Sequence, residues 1–305
     1  MDRVEILMST HNGEAFIEKQ IESIMKQRNV DIHLTVRDDG STDKTLEIIE
    51  RLQIVYPGRI VLFCGKNLGY RKSFLQLLDL AQEADYYGFA DQDDFWKENK
   101  VYRAIECLRT LNDGVRLYAG SLEIANSNMQ KIGDKDISGI PNTLGSLFTR
   151  NRLAGCTFLF SKSCKELAQR FSGLDYPPGQ MPAHDFVVAA CAYACGSVYL
   201  DNMENIIHIR HNGSVTSGGN GLKKRILVEW KNVFFRKRGA STLAAEMLKR
   251  CENELSDGGK MLLQTIAAYR TGFMNQFRFL FDKRMTCGSV ICDMEQKLKV
   301  FLGIY

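Results

Sequence analysis

Two aspartates stand two positions apart directly after an apolar run. Asp91 and Asp93 follow Tyr87-Gly88-Phe89-Ala90, and Asp94 comes next. Carboxylate oxygens suit hard cations such as Mg²⁺ or Mn²⁺, and a cation held on such a turn would neutralise a diphosphate. The alternative is a solvated acidic turn that caps a helix expected to begin near Lys97. The abrupt change from apolar to acidic residues favours the metal site.

Two further polar segments follow apolar runs near the start of the chain. Residues 38–43 are Asp-Asp-Gly-Ser-Thr-Asp, where a carboxylate could accept hydrogen bonds from a nucleobase or a ribose. Residues 9–14 are Ser-Thr-His-Asn-Gly-Glu, where backbone amides at a helix start could meet a nucleotide. Each segment also has a purely structural interpretation, because Gly40 and the Asn12-Gly13 pair are turn signals and Ser41 can cap a helix.

Two segments later in the chain place histidine beside residues that could take part in chemistry. His184-Asp185 opens an apolar helix and could supply a general base, whereas an aspartate that only caps the helix is the alternative. His208, Arg210 and His211 precede an Asn-Gly turn and could contribute a metal or phosphate ligand. An isolated histidine is more often structural, so these assignments depend on the other motifs in the chain.

The elements that must position these residues alternate between strands and helices. Apolar runs at 4–8, 31–36, 60–64 and 86–90 predict strands, and apolar residues at helical spacing separate them. This rhythm predicts right-handed βαβ units and an α/β fold with a mostly parallel sheet. The polar segments then fall at the carboxyl ends of the strands, which is the edge where open α/β sheets bind ligands.

Composition and charge exclude several classes of protein. Apolar residues make up 45% of the 305 residues, which is typical of a globular protein. A net charge of +4 is too small to predict a nucleic-acid partner. The nine cysteines contain no Cys-x-x-Cys pair, so they predict reduced thiols and a cytoplasmic location. We expect neither a signal peptide nor a membrane-spanning helix, because no apolar run reaches about 20 residues.

The last third of the chain is predicted to be helical and basic. We expect a boundary at the glycine-rich segment 217–221, with residues 1–217 as one domain and 218–305 as another. Residues 222–238 combine seven cations with Trp230 and other apolar residues at helical spacing. Such a helix could lie on an anionic membrane, at the inner face of the cell membrane. Later in the region 218–305, Phe273, Phe277, Leu280 and Phe281 likewise stand beside Arg270, Arg278, Lys283 and Arg284. Packing within the protein, or in a homodimer, is the alternative.

Taken in order, these motifs resemble those of family-2 glycosyltransferases with the GT-A fold. The resemblance rests on Ser-Thr-His-Asn-Gly-Glu, Asp-Asp-Gly-Ser-Thr-Asp, Asn67-Leu68-Gly69, Asp-Gln-Asp-Asp-Phe-Trp, His184-Asp185 and Arg210-His211, and it covers about residues 3–217. It is strongest toward the rhamnosyltransferase-like bacterial branch that builds surface polysaccharides. It implies a GT-A domain with a mostly parallel sheet, followed by a helical extension.

The resemblance also implies a role for each matching residue. Asp185 is the catalytic base. Asp39 faces the nucleobase of the donor. Asp93 holds the metal, His211 contacts the metal or diphosphate, and Arg210 contacts the diphosphate or the donor. The residues of the nucleotide pocket are Thr10, Asn12, Glu14, Asp39 and Asp91. Two departures from the pattern are His11, where tyrosine is common, and Phe186-Val187, where aromatic residues are usual.

The activity implied is inverting sugar transfer that uses Mn²⁺ or Mg²⁺. The donor would be dTDP-rhamnose or a UDP-sugar, and the acceptor a saccharide, in particular a lipid-linked one. Two alternatives remain open. A nucleotidyltransferase would also use paired aspartates, although a Gly-rich phosphate loop with a lysine is missing near the N-terminus. A non-catalytic nucleotide-binding scaffold at the membrane would consume no sugar and would not need Asp185.

Overall fold

A computed structural model describes residues 1–210 and 239–305. The chain divides into two compact units. The first consists of residues 1–138, 153–173 and 197–210, and the second of residues 139–152, 174–196 and 211–305. The predicted boundary at 217 lies outside the described residues and stays a prediction. The predicted basic helix within 222–238 and His211 also lie outside them.

The first unit is built on a sheet of nine strands among the described residues. The strands are β1 (Arg3–Thr10), β2 (Asp31–Asp38), β3 (Ile60–Cys64), β4 (Tyr86–Ala90), β5 (Asp94–Trp96), β6 (Arg116–Ala125), β7 (Lys131–Lys135), β8 (Leu159–Ser161) and β9 (Ser197–Ile209). Their order is β3-β2-β1-β4-β8-β6-β9-β5, and β7 pairs with β6. The helices of this unit are α1 (Ile17–Met25), α2 (Thr45–Val55), α3 (Tyr70–Leu80), α4 (Lys100–Arg109) and α6 (Lys162–Gln169).

The parallel βαβ units predicted from the sequence are confirmed. β1 pairs in parallel with β2 on one side and with β4 on the other, and β2 pairs in parallel with β3. Because these strands run the same way, Thr10, Asp38 and Ala90 end at one edge of the sheet. Ile6 and Leu34, in the middle of β1 and β2, are fully buried in the core with α1, as central parallel strands require.

Two local features differ from what the sequence pattern suggests. Asp94–Trp96 do not lead into a helix but form β5, which pairs antiparallel with β9 some 110 residues later. The helix expected near Lys97 therefore begins at Lys100. Ser197–Ile209 form one long strand, β9, and its parallel pairing with β6 includes register shifts around Ser121.

The second unit is helical in its described part. It contains α5 (Leu144–Thr149), α7 (His184–Cys195), α8 (Gly239–Arg250), α9 (Asp257–Ala268), α10 (Phe273–Leu280) and α11 (Val290–Phe301). α9 begins with a serine cap, since the Ser256 hydroxyl accepts a hydrogen bond from the amide of Gly259 at 3.1 Å. None of the helices in the described residues is both long enough and apolar enough to cross a bilayer.

Candidate functional site

Gln92 joins the loop after β1 to the loop after β4. Its side-chain oxygen accepts hydrogen bonds from the Thr10 hydroxyl at 2.6 Å and from the His11 amide at 3.0 Å, and its amide donates to the His11 carbonyl at 3.2 Å. The approach is so close that a Cβ at Gly13 would lie 2.5 Å from the same oxygen. Gln92 therefore fixes the predicted nucleotide residue Thr10, and sequence reasoning did not single it out.

Asn12 and Glu14 join the same loop to the loop after β2. The Asn12 side-chain oxygen accepts a hydrogen bond from the Thr42 amide at 2.8 Å, and the Glu14 carboxylate accepts one from the Lys44 amide at 3.0 Å. Asn12 adopts a left-handed backbone conformation with φ of 51°, which asparagine tolerates better than most residues. Both side chains thus hold the rim of the predicted pocket, and both residues are exposed.

Asp39 is buried at the sheet edge and organises the loop after β3. Its carboxylate pairs with the buried Arg37 guanidinium and accepts hydrogen bonds from the amides of Leu68 and Gly69, each at 2.8 Å. Arg37 in turn donates to the Lys66 carbonyl at 3.0 Å. A carboxylate offers about four acceptor positions, so one remains for a further donor such as a nucleobase imide.

The acidic segment gathers part of a potential metal site. Asp91, Asp94 and Cys156 each offer a ligand atom, and these atoms lie within 4.8 Å of one another. Among the described residues, this is the cluster of potential metal ligands that the structure brings together. The predicted metal ligand Asp93 is not among the three. Asp94 faces inward because β5 pairs with β9, which sets it opposite His208.

His208 holds Asp94 from the neighbouring strand. Its Nδ1 lies 2.7 Å from the Asp94 carboxylate, which is fully buried. Burial raises the pKa of Asp94, and the hydrogen bond to Asp94 raises the pKa of His208. The pair therefore keeps a proton above the pH at which the separate groups would lose it. The sequence singled out the His208 segment for its chemistry but not for this partner.

The chemistry of these donors decides which cation they suit. Asp91 and Asp94 offer the hard oxygens that Mg²⁺ and Mn²⁺ prefer, and such ions are commonly held by one or two carboxylates together with phosphate oxygens. The Cys156 thiol is a poor ligand for them, because burial and the adjacent Asp94 raise its pKa and keep it protonated. The residues fit a hard divalent cation through their carboxylates, with the thiol as a neighbour.

Lys100 lies behind this acidic segment and was also missed. It is 1% exposed, and its ammonium lies 3.5 Å from the centre of the buried Trp96 ring. Burial lowers its pKa to about 7. The run Lys-Glu-Asn-Lys at 97–100 looks like a solvated surface. The signal lay in the helical spacing of Lys100, Val101, Ala104 and Leu108, which places the lysine on the buried side of α4.

The other two predicted residues lie in different units. Arg210 follows β9, two positions after His208, and its amide donates to the Ala125 carbonyl at 2.8 Å. Asp185 belongs to the second unit, in the first turn of α7. There its Oδ2 accepts a hydrogen bond from the Asn151 side chain at 3.2 Å, and its Oδ1 accepts one from the Phe186 amide at 2.7 Å.

The structure thus brings together the loops that carry Thr10, Asn12, Glu14, Asp39 and Asp91 in the first unit. This unit also contains Asp93 and Arg210, and the roles proposed for all of these residues stay predictions.

Known proteins resemble this chain in sequence and in fold. The model of the family described as "Glycosyl transferase family 2" matches residues 5–160. The dTDP-rhamnosyl transferase RfbG of Shigella flexneri is 36% identical over 160 residues, which are 51% of this chain and 54% of that protein. A β-1,3-glucosyltransferase of Escherichia coli, WfaP, is 28% identical over 114 residues, which are 36% of this chain and 43% of that protein. The chain spans about half the length of the curated relatives it matches.

Solved structures agree with the fold. S. aureus TarS 1–349 in complex with UDP superposes with a TM-score of 0.55 at 16% identity, over 92% of this chain and 75% of that one. At this identity the similarity concerns the fold alone, and it supports the GT-A architecture expected from the motifs.

Proposed function

The chain belongs to glycosyl transferase family 2, and on that premise we propose that it transfers a sugar from a nucleoside diphosphate to a saccharide acceptor in bacterial surface polysaccharide synthesis. The name of the S. flexneri relative favours dTDP-rhamnose as the donor. UDP-sugars are the alternative, because the E. coli relative is named for UDP-Glc and for an acceptor on diphosphoundecaprenol. A lipid-linked acceptor would bring the protein to the cytoplasmic face of the membrane.

The observation that carries this proposal is the joining of the four loops that follow β1, β2, β3 and β4. Gln92 ties the acidic segment to Thr10, the Asp39 amide donates to the Thr10 carbonyl at 2.8 Å, and the Asp39 carboxylate holds the loop at Gly69. A nucleotide at this edge would meet Asp39 with its base and Asp91 with its ribose. Because the four loops hold one another, they are in place before the donor arrives, which reduces the entropic cost of binding.

Asp185 is the proposed general base for the acceptor. In a single displacement, the acceptor oxygen forms a bond to the anomeric carbon while the bond from that carbon to the diphosphate oxygen breaks, and the hydroxyl proton passes to the Asp185 carboxylate. The contact with Asn151 supports this role, since it fixes the orientation of the carboxylate at the start of α7. The configuration at the anomeric carbon is inverted.

A divalent cation, when bound, would supply positive charge to the leaving diphosphate. We propose Asp93 as its ligand, with Asp91 on the ribose side and His211 as a further contact; the alternative is a cation held by Asp91 and Asp94, the two carboxylates that lie close together in the structure. Arg210 would contact the diphosphate directly with its guanidinium, a group suited to phosphate oxygens.

Asp185→Asn tests the base assignment. The amide keeps the shape of the side chain but cannot take the proton, so transfer from dTDP-rhamnose or a UDP-sugar should fall by about 10²- to 10⁴-fold. Binding of the free nucleotide, measured by calorimetry with Mn²⁺ present, should be unchanged. Asp257→Asn is the matched control, because Asp257 occupies the first turn of another helix in the same unit and is exposed.

Two results would contradict the proposal. If Asp185→Asn transfers sugar as fast as Asp257→Asn does, Asp185 is not the base. If the unchanged protein binds nucleotide but consumes no sugar with any acceptor, the non-catalytic scaffold is correct instead.

A further inference from the structure

α10 turns an aromatic stripe toward the solvent. Phe273, Phe277 and Phe281 lie four residues apart and are 77%, 51% and 62% exposed. Their ring centres are 6.3 Å and 4.6 Å apart, so the three rings form one continuous row. The side of α10 that packs on the protein is marked instead by Phe279, which is fully buried. An amphipathic helix normally buries such a row.

α11 shows the same outward arrangement. Val290, Ile291, Met294 and Phe301 are between 66% and 78% exposed, and at 100° per residue they fall within one arc of about 100°. Its buried positions, Gln296 and Val300, lie on the opposite side. We refer to the exposed side chains of Phe273, Phe277, Phe281, Val290, Ile291, Met294 and Phe301 as the α10–α11 face.

The two helices are joined by hydrogen bonds within the second unit. The Gln276 side chain of α10 donates hydrogen bonds to the carbonyls of Val300 at 2.8 Å and Phe301 at 3.1 Å. These bonds tie the end of α11 to the middle of α10. The exposed stripes therefore belong to one packed pair of helices and not to separate, fraying ends.

Positive charge accompanies this apolar surface. Arg270, Arg278, Lys283 and Lys297 are all exposed. Residues 270–305 contain three acids, and none of the three is an exposed residue. Each also has partners inside the second unit: Asp282 pairs with Arg284, Glu295 with Arg150 and Lys299, and Asp293 accepts hydrogen bonds from Thr286 and Cys287. The exposed charged residues of this segment are thus all cations.

We propose that the α10–α11 face docks on an anionic lipid bilayer. Exposed Phe, Ile and Met side chains in a segment whose exposed charged residues are all Lys and Arg have the chemistry of interfacial helices, which bury apolar groups at the headgroup boundary while their cations meet lipid phosphates. A second copy of the chain is disfavoured as the occupant. In a two-fold symmetric contact the same face would meet itself, and the unbalanced cations would be brought together.

This inference extends the proposed function, since it would hold the enzyme where a lipid-linked acceptor lies. It is narrower than the sequence-based expectation, which assigned membrane association or oligomerisation to the whole of residues 218–305. The two proposals can fail separately, because vesicle binding is measured without donor, acceptor or turnover.

Ile291→Asp in the full 305-residue chain tests the proposal. Co-sedimentation with vesicles of phosphatidylglycerol and phosphatidylcholine should show binding by the unchanged protein and at least about tenfold weaker binding by the variant, because the aspartate brings negative charge to the lipid boundary. Ile54→Asp is the matched control, since Ile54 on α2 is 81% exposed against 78% for Ile291 and lies in the first unit. Thermal unfolding of both variants verifies that each is folded.

A charge variant provides a second measurement. Lys297→Gln removes one exposed cation without touching the apolar row, and it should weaken binding to the anionic vesicles by about fivefold. Binding of the unchanged protein to pure phosphatidylcholine should be much weaker than to the anionic mixture.

Three results would overturn the proposal. The first is no binding of the unchanged protein to anionic vesicles. The second is an equal loss of binding in Ile291→Asp and Ile54→Asp. The third is a dimer in sedimentation velocity that Ile291→Asp converts to monomer while vesicle binding is unaffected, which would identify a second copy as the occupant.

Discussion

Replacing Lys100 with methionine should stabilise the first unit, and the gain should depend on pH. The ammonium is 1% exposed, and no hydrogen-bond partner for it is found in the described part of the chain. Methionine has a similar length and is apolar, so it can fill the same space. Replacing a buried charged group with an apolar side chain of similar volume is often neutral or stabilising.

The size of the effect follows from the change in pKa. Burial lowers the pKa of Lys100 from 10.5 to about 7, and at 1.36 kcal/mol for each unit of pKa, keeping the charge inside costs about 5 kcal/mol. The cation–π contact with Trp96 at 3.5 Å offsets about 2 kcal/mol of this free-energy cost. We therefore expect Lys100→Met to raise the free energy of unfolding by about 3 kcal/mol at pH 6.

The dependence on pH has a definite sign. Between pH 7 and about 10.5 the unfolded chain binds a proton at Lys100 that the folded chain does not, so the stability of the unchanged protein rises with pH over this range. The methionine variant lacks this contribution. Its advantage should fall to less than about 1 kcal/mol at pH 10.

Urea unfolding followed by Trp96 fluorescence measures this difference. The chain has two tryptophans, so the Trp230→Phe background leaves Trp96 as the reporter for the first unit. EDTA keeps cations away from the neighbouring carboxylates. Lys19→Met, at an exposed position of α1, is the control and should change stability by no more than about 0.5 kcal/mol at any pH. A Lys100→Met variant that is less stable than its parent at pH 6, or whose advantage is the same at pH 6 and pH 10, would refute this reasoning.

Further predictions concern the loops and the sheet. Gln92→Ala should weaken binding of UDP or dTDP by about tenfold in calorimetry, because Thr10 loses its partner; unchanged affinity would exclude Gln92 from positioning the pocket. Asp39→Asn should lower the free energy of unfolding by about 3 kcal/mol in urea, because it leaves a buried guanidinium without its counter-charge, and an equally stable variant would contradict this. Arg103→Met should cost about 2 kcal/mol at pH 7. Burial raises the pKa of Asp201, but the hydrogen bonds it accepts, first from Arg103, lower it overall, so this stabilisation should begin to shrink as the pH falls below the ordinary aspartate range and be lost as it passes through the lowered pKa; a loss from Arg103→Met that does not diminish at all on acidification would contradict the assignment.

The strand-end positions of the chemical residues could be predicted because local pattern determines them. Apolar runs such as 4–8 and 86–90 predict buried strands, and a parallel arrangement requires their carboxyl ends to share an edge. Thr10, Asp39 and Asp91 follow from that argument alone. Of the structural interpretation of residues 38–43, the turn at Gly40 is confirmed, with φ of 85°, but Ser41 does not cap a helix, because α2 begins only at Thr45. Asp38 holds this turn through the amides of Gly40 and Ser41, while Asp39 organises the neighbouring loop.

Pairings between distant parts of the chain could not be predicted in this way. Asp94 and His208 are 114 positions apart, and their contact exists because β5 pairs with β9. Two-residue alternation says that Asp93 and Asp94 point to opposite sides of an extended chain, but the neighbouring strand decides which of them is buried. The same holds for Gln92, because nothing near it in the sequence indicates that Thr10 is its hydrogen-bond partner.

The sequence by itself determined which residues share a side of each element, because side-chain direction repeats with the period of the backbone. It placed Phe273, Phe277 and Phe281 in one row of a helix and Lys100 among apolar neighbours on another. Only the tertiary structure decided which side is covered, since burial depends on what packs against an element. The aromatic row faces the solvent and the lysine faces the core, opposite to what hydrophobicity alone would favour in each case.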